Sequence, residues 1–245
     1  MGISVTVRKK LWGKSGARCS MCKAELFEQT QGSVQGDIIL GEEAHICGDQ
    51  EGSARYDASM TETQRNAEDN LVLLCPTDHT KIDKDETQYG VEKIKEIKKK
   101  HEQSVQDAIR EEISNVTYAE LEVTVNYLIQ NSGTSDDSIS FIKPKEKIEK
   151  NSLSTDIENL ITTGMSRVQE VKNYLSTNPD MYFADKLKTG LVNKYNELKN
   201  QALDGDAIFL ELLKFSSHNS RDNKTQASAL SVIVYFFEAC DIFEK

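Results

Sequence analysis

The chain has 245 residues, 38% of them hydrophobic and 29% charged, with only three prolines, a composition that excludes a disordered protein and leaves room for two domains with buried cores. Its net charge is −10, shared evenly: residues 1–112 carry 16 Lys+Arg against 21 Asp+Glu, and the remainder 14 against 19. Because Lys and Arg contacts to phosphate supply most non-specific affinity for nucleic acid, a chain this acidic needs metal ions, a local basic face or a partner to hold DNA.

The N-terminus MGISVTVRKKLWGKSG lacks the apolar core and small-residue cleavage site of a secretory signal, and no run approaches the roughly 20 apolar residues of a spanning helix. A cytoplasmic protein away from membranes is expected. In RKKLWGKSGAR, Leu11 and Trp12 anchor a short helix, and Gly13 and Gly16 loosen the chain before Cys19. CSMCKAELF then reads as a knuckle, GDIILGEEAHICG as a strand, DQEGSARYDASMTETQRNAED as a long loop, NLVLLC as a second strand and PTDHTKID as the start of a helix. From Val91 the positions Val91, Ile94, Ile97, His101, Val105, Ile109 and Ile113 recur every three or four residues, as one helical face does. This helix should close a first domain at 1–114, with the charges of KIKEIKKKHE as its solvated face.

Residues 115–130 fit strand or helix on pattern alone. NSGTSDDSISFIKPKEK is polar and contains Gly133 and Pro144, so residues 115–145 are expected to connect the first domain to a second at 146–245. LSTDIENLITTGMSRVQEVKNYL, FADKLKTGLVNKYNELKNQAL, AIFLELLKFSS and TQASALSVIVYFFEACDIFEK all read as helices. The last is apolar all round and must be buried in its own domain or against another protein; Phe236, Phe237 and Phe243 are its candidate docking anchors. The expected class is α+β in the first domain, followed by a mainly α-helical second domain.

Five cysteines, an odd number clustered early, fit reduced thiols or a metal rather than a disulfide framework. A structural zinc takes about four ligands, usually two from each of two turns. Cys19-x-x-Cys22 and Cys75 supply three, and Asp78, a harder ligand than Cys or His, stands where a fourth is expected. His79 is the rival for that position. Cys47 reads as a small buried residue.

Together, LWGKSGARCSMC, GEEAHICG, GSARYD, RNAEDNLVLLCPTDHTKID and IKKKHE resemble the HNH endonuclease family, in its branch with a cysteine knuckle, over about residues 8–102. The resemblance implies a ββα-metal finger that hydrolyses DNA with structural Zn2+ and a catalytic Mg2+ or Mn2+. Carried onto this chain, it implies that His45 is the general base, that Asn70 braces the loop or the metal, and that His79 binds the catalytic metal. The acidic metal ligand that often precedes the base is replaced by Ala44, which leaves that role to Glu43, to Glu42 or to water. Arg65 and Lys81 are available for phosphate contacts.

The second half carries no catalytic signature. KIEKNSLSTDIENLI, YNELKN, AIFLELL and VYFFEACDIFEK resemble the C-terminal domain of effectors in bacterial ABC three-component, Lamassu-like antiphage and anti-plasmid systems. That implies an effector tethered to an SMC-like ABC ATPase and a small middle subunit. The alternatives are a stand-alone restriction-like nuclease, which the acidic second half disfavours, and a zinc-stabilised adaptor that no longer cuts.

Overall fold

The structure is a computed structural model that describes residues 2–29, 37–130, 144–180, 182–220, 222–239 and 242–243. Helices dominate it, with a few short strands. The chain divides into two compact units, 1–106 and 107–245. No helix among the described residues is long and apolar enough to cross a membrane.

The first unit opens with helix α1, Val5–Lys14, capped by Ser4 and burying Leu11. After the knuckle come two antiparallel pairs: β1 (Phe27–Gln29) with β2 (Asp37–Ile39), and β3 (Glu42–His45) with β4 (Leu71–Leu74). The single strand expected over GDIILGEEAHICG is thus two. The break falls at Gly41, where a Cβ would lie 2.6 Å from the Trp12 ring and 3.0 Å from Leu26 Cδ1: Trp12 needs that space, so the chain turns from one strand pair to the other there.

The long loop after β3 carries a short helix, α2 (Glu62–Arg65), closed by a capping box between Thr61 and Gln64, a local signal that the sequence does contain. A single 3₁₀ turn, Glu68–Asn70, leads into β4. Helix α3, Pro76–Lys84, starts with proline at its first position, where the missing N–H costs nothing. Leu71 to Leu74 are all buried, as are Ile46, Ile82 and Ile94, so the β3–β4 pair is the centre of this unit's core.

Helix α4, Val91–Ile113, has the predicted limits, but the division between the units falls within it, eight residues before the expected domain end at 114. Its lysines Lys93, Lys95 and Lys100 pair with glutamates one turn away on an exposed face, as expected. Lys98 faces inward instead: besides pairing with Glu102 at 3.4 Å, it is buried and donates to Glu68 O at 2.7 Å, Leu71 O at 3.0 Å and Glu68 Oε1 at 3.1 Å.

Residues 115–130, expected to be part of a connection, form α5 (Tyr118–Gln130), whose Leu121, Val125 and Leu128 belong to the second unit's core. Residues 131–143, with Gly133, lie outside the described residues, and Pro144 begins α6 (Pro144–Lys150). The helix expected across residues 153–175 is two, α7 (Thr155–Met165) and α8 (Val168–Thr177). At the break Arg167 donates to Ile113 O at 2.7 Å and to Ser114 O, satisfying carbonyls at the end of α4. Helices α9 (Phe183–Lys199), α10 (Gly205–Ser216) and α11 (Asn223–Glu238) complete the unit.

Helix α11 packs against α5, α7, α8 and α10. Gly164 makes its contact with α7 possible, since a Cβ there would lie 2.6 Å from Val234 Cγ2. Phe236, Phe237 and Phe243 are 3%, 0% and 4% exposed, which corrects the expectation that they are docking anchors. Earlier helices of the same unit cover the tail. The buried Lys147 of α6 donates to Phe237 O at 2.9 Å and to Ile242 O, satisfying one carbonyl in the last turn of α11 and one beyond it. The Phe243 ring lies 5.2 Å from Tyr195 and 5.4 Å from Phe237. Phe243→Ala should therefore destabilise this unit by about 3–5 kcal/mol, seen as a lower melting temperature of the helical signal; an unchanged melt would show that the ring is not core.

Candidate functional site

The first unit holds two clusters of chemistry-bearing side chains. In the knuckle, Ser20 N–H donates to Leu73 O at 2.9 Å, which pins the turn to β4, and Cys75, at the end of the same strand, caps α3 with its sulfur. The turn and the helix start thereby bring together Cys19, Cys22, Cys75 and Asp78, whose ligand atoms all lie within 4.8 Å of one another. These are the four residues expected from the sequence.

Burial and the hydrogen bond to Asp78 raise the Cys19 thiol, and burial, with hydrogen bonds to Asp78 and Cys19, pushes Cys22 up to about 12. Burial would also raise the Asp78 carboxyl, but donors on Lys81, Cys22 and Cys19 outweigh it and hold the group at about 2. Three soft sulfurs and one carboxylate in this space are compatible with a zinc site. Lys81, expected to be available for phosphate, donates to Asp78 Oδ1 at 2.7 Å.

The second cluster lies where β3 ends. His45 is half-buried, and its Nε2 is 3.3 Å from Asn66 Oδ1. Asn70, 5% exposed, has its side chain fully engaged by backbone: Oδ1 accepts from Cys47 N–H, and Nδ2 donates to Cys47 O and Arg65 O, each at 2.9 Å. It braces the loop after His45, the first of the two roles expected for it. An amide turned wholly to backbone is not placed as a metal ligand.

His79, on α3, is flanked by two carboxylates, with Nδ1 2.6 Å from Glu42 Oε2 and Nε2 3.3 Å from Asp83 Oδ2. Glu43, expected to reach the metal, instead accepts from Arg8 Nε at 2.6 Å and Trp12 Nε1 at 2.9 Å. Adjacent residues of a strand point to opposite faces, so Glu42 turns to α3 and Glu43 to α1. Arg65 lies over the Tyr56 ring, 4.8 Å from its centroid, and donates to Asp57 O at 2.9 Å.

Asp83 and Asn66 were missed from the sequence. Asp83 had a signal, since it follows His79 by four residues and shares its helical face. Asn66 had none, because the fold of the intervening loop alone brings it to His45.

A family model for C-terminal domain 10 of the ABC-three component (ABC-3C) systems matches residues 119–244, and no match is found among curated proteins. The matched region takes in all but the first residue of α5, well before the expected domain start at 146, and runs into the tail, whose Phe243 packs into the same core. It covers slightly more than half of the chain, and so the protein belongs to the family that carries C-terminal domain 10 and is a component of an ABC-three component defence system.

Proposed function

We propose that the first unit is an HNH-type, metal-dependent DNA endonuclease, the effector of its system, and that the helical unit serves assembly with an SMC-like ABC ATPase and a small middle subunit. The observation that carries this reading is the arrangement of His45 at the end of β3, Asn70 immediately before the paired β4, and His79 on the α3 that follows. Strand, strand and helix in that order support a ββα reading of this unit.

In this reading His45 is the base. A neutral imidazole whose Nε2–H donates to Asn66 Oδ1 keeps its lone pair on Nδ1, and that nitrogen takes the proton of the attacking water. Asn70 keeps the loop behind His45 in place. His79, with Glu42 and Asp83, would hold the divalent ion; Glu42 takes the place expected of Glu43. The ion, when bound, offsets charge growing on the departing 3′-oxygen. Cys19, Cys22, Cys75 and Asp78 hold a structural zinc. The acidic balance of the chain fits a nuclease that draws DNA affinity from its partners.

Supercoiled plasmid incubated with the purified full chain and Mg2+, Mn2+ or Ni2+ should be nicked or linearised, with EDTA abolishing the reaction. No cutting with any of these ions, alone or with the other components of the system, would overturn the reading.

A further inference from the structure

Arg55 links the two halves of the candidate catalytic site. Its side chain is only 4% exposed, and burying a guanidinium is costly unless its donors are matched. Here each of its three nitrogens donates to an acceptor: Nε to Ile46 O at 2.7 Å, Nη1 to Ile82 O, and Nη2 to Asp83 Oδ1 at 2.8 Å. Ile46 directly follows His45, and Ile82 and Asp83 lie on the α3 that carries His79. A single rigid plane therefore spans the end of the base's strand and the helix of the candidate metal ligands.

The local backbone is shaped to deliver this side chain. Arg55 has φ +55°, a left-handed conformation that non-glycine residues avoid, and its N–H donates to Glu86 Oε2 at 2.9 Å. The loop closes on itself through Gly48 N–H to Ala54 O at 3.0 Å, and a Cβ on Gly48 would lie 2.0 Å from Ser53 Oγ.

We infer that Arg55 is a positioning residue, which fixes the separation of His45 from His79 and Asp83; this rests on the nuclease reading. A lysine cannot replace it, because an ammonium is a point charge without the planar fork that reaches three acceptors in fixed directions. Without the fork, the Asp83 carboxylate is free to turn away from His79 Nε2, 3.3 Å distant.

The test compares wild type, Arg55→Lys and Arg55→Ala as full chains, scoring melting temperature, Mn2+ affinity by electron paramagnetic resonance, and kcat and KM on plasmid. Arg55→Lys should remain folded, bind Mn2+ about 10-fold more weakly and cut about 10²-fold more slowly, with KM for DNA unchanged. Added guanidinium ion should restore part of the Arg55→Ala rate. Wild-type kcat and Mn2+ affinity in Arg55→Lys would overturn the inference, as would losses in both variants that track the unfolded fraction and resist guanidinium. A wild type that binds Mn2+ without cutting sinks the nuclease reading alone; the Mn2+ affinity of Arg55→Lys then decides, supporting the role if weakened and overturning it if unchanged. A wild type that neither binds Mn2+ nor cuts overturns both.

Discussion

His45→Ala should lower the first-order rate of plasmid nicking by about 10²- to 10⁴-fold, the usual contribution of a positioned base, while the protein stays folded. The substitution removes a ring that is hydrogen-bonded to the Asn66 amide. The strand itself is held by the backbone pairing of His45 with Leu71 and by the donation of Ile46 N–H to Asn70 O at 2.8 Å, neither of which depends on the imidazole. Rates at saturating Mn2+, beside near-ultraviolet circular dichroism of both proteins, make the comparison. A folded variant that cuts at the wild-type rate would remove His45 from the chemistry.

The second large effect is expected at the knuckle. One zinc should co-purify with each chain, and Cys19→Ser or chelation should unfold the first unit while the second melts as before. Structural zinc contributes about 10–16 kcal/mol of apparent binding free energy that is also folding free energy, far more than a small unit can lose. Cys19 is fully buried beside Leu11, Leu26 and Leu73, and the turn that carries it is hydrogen-bonded to β4, so loosening the ligands exposes the centre of the core. The second unit has a separate core around α11 and does not share that dependence. Elemental analysis that finds no metal in a folded protein would contradict this expectation.

Both clusters were legible from the sequence to different depths. Cys19, Cys22, Cys75 and Asp78 could be named in advance because a CxxC turn and a helix start impose their own local geometry. The strand at NLVLL and the helix from Val91 could be named because a continuous apolar run and a 3.6-residue period each survive whatever packs against them. Which of Glu42 and Glu43 turns toward His79 was not legible, because adjacent residues of a strand point to opposite faces and only Arg8 and Trp12 on α1 hold Glu43 away. Asn66 and Arg55 reach the site through a loop whose path depends on tertiary contacts and carries no periodic signal. The tail misled for a related reason: an all-apolar helix states that it is buried but not by what, and here earlier helices of the same unit supply the cover.

The central claim is that a base at His45 drives water onto phosphorus with the 3′-oxygen leaving, and the chemistry of the product ends reads this directly. Plasmid cut by the wild-type full chain with Mn2+ should carry 5′-phosphates that ligase joins and 3′-hydroxyls that a polymerase extends, and His45→Ala should produce neither above background. Ends bearing 3′-phosphate and 5′-hydroxyl, or identical ends formed equally fast by His45→Ala, would contradict the account.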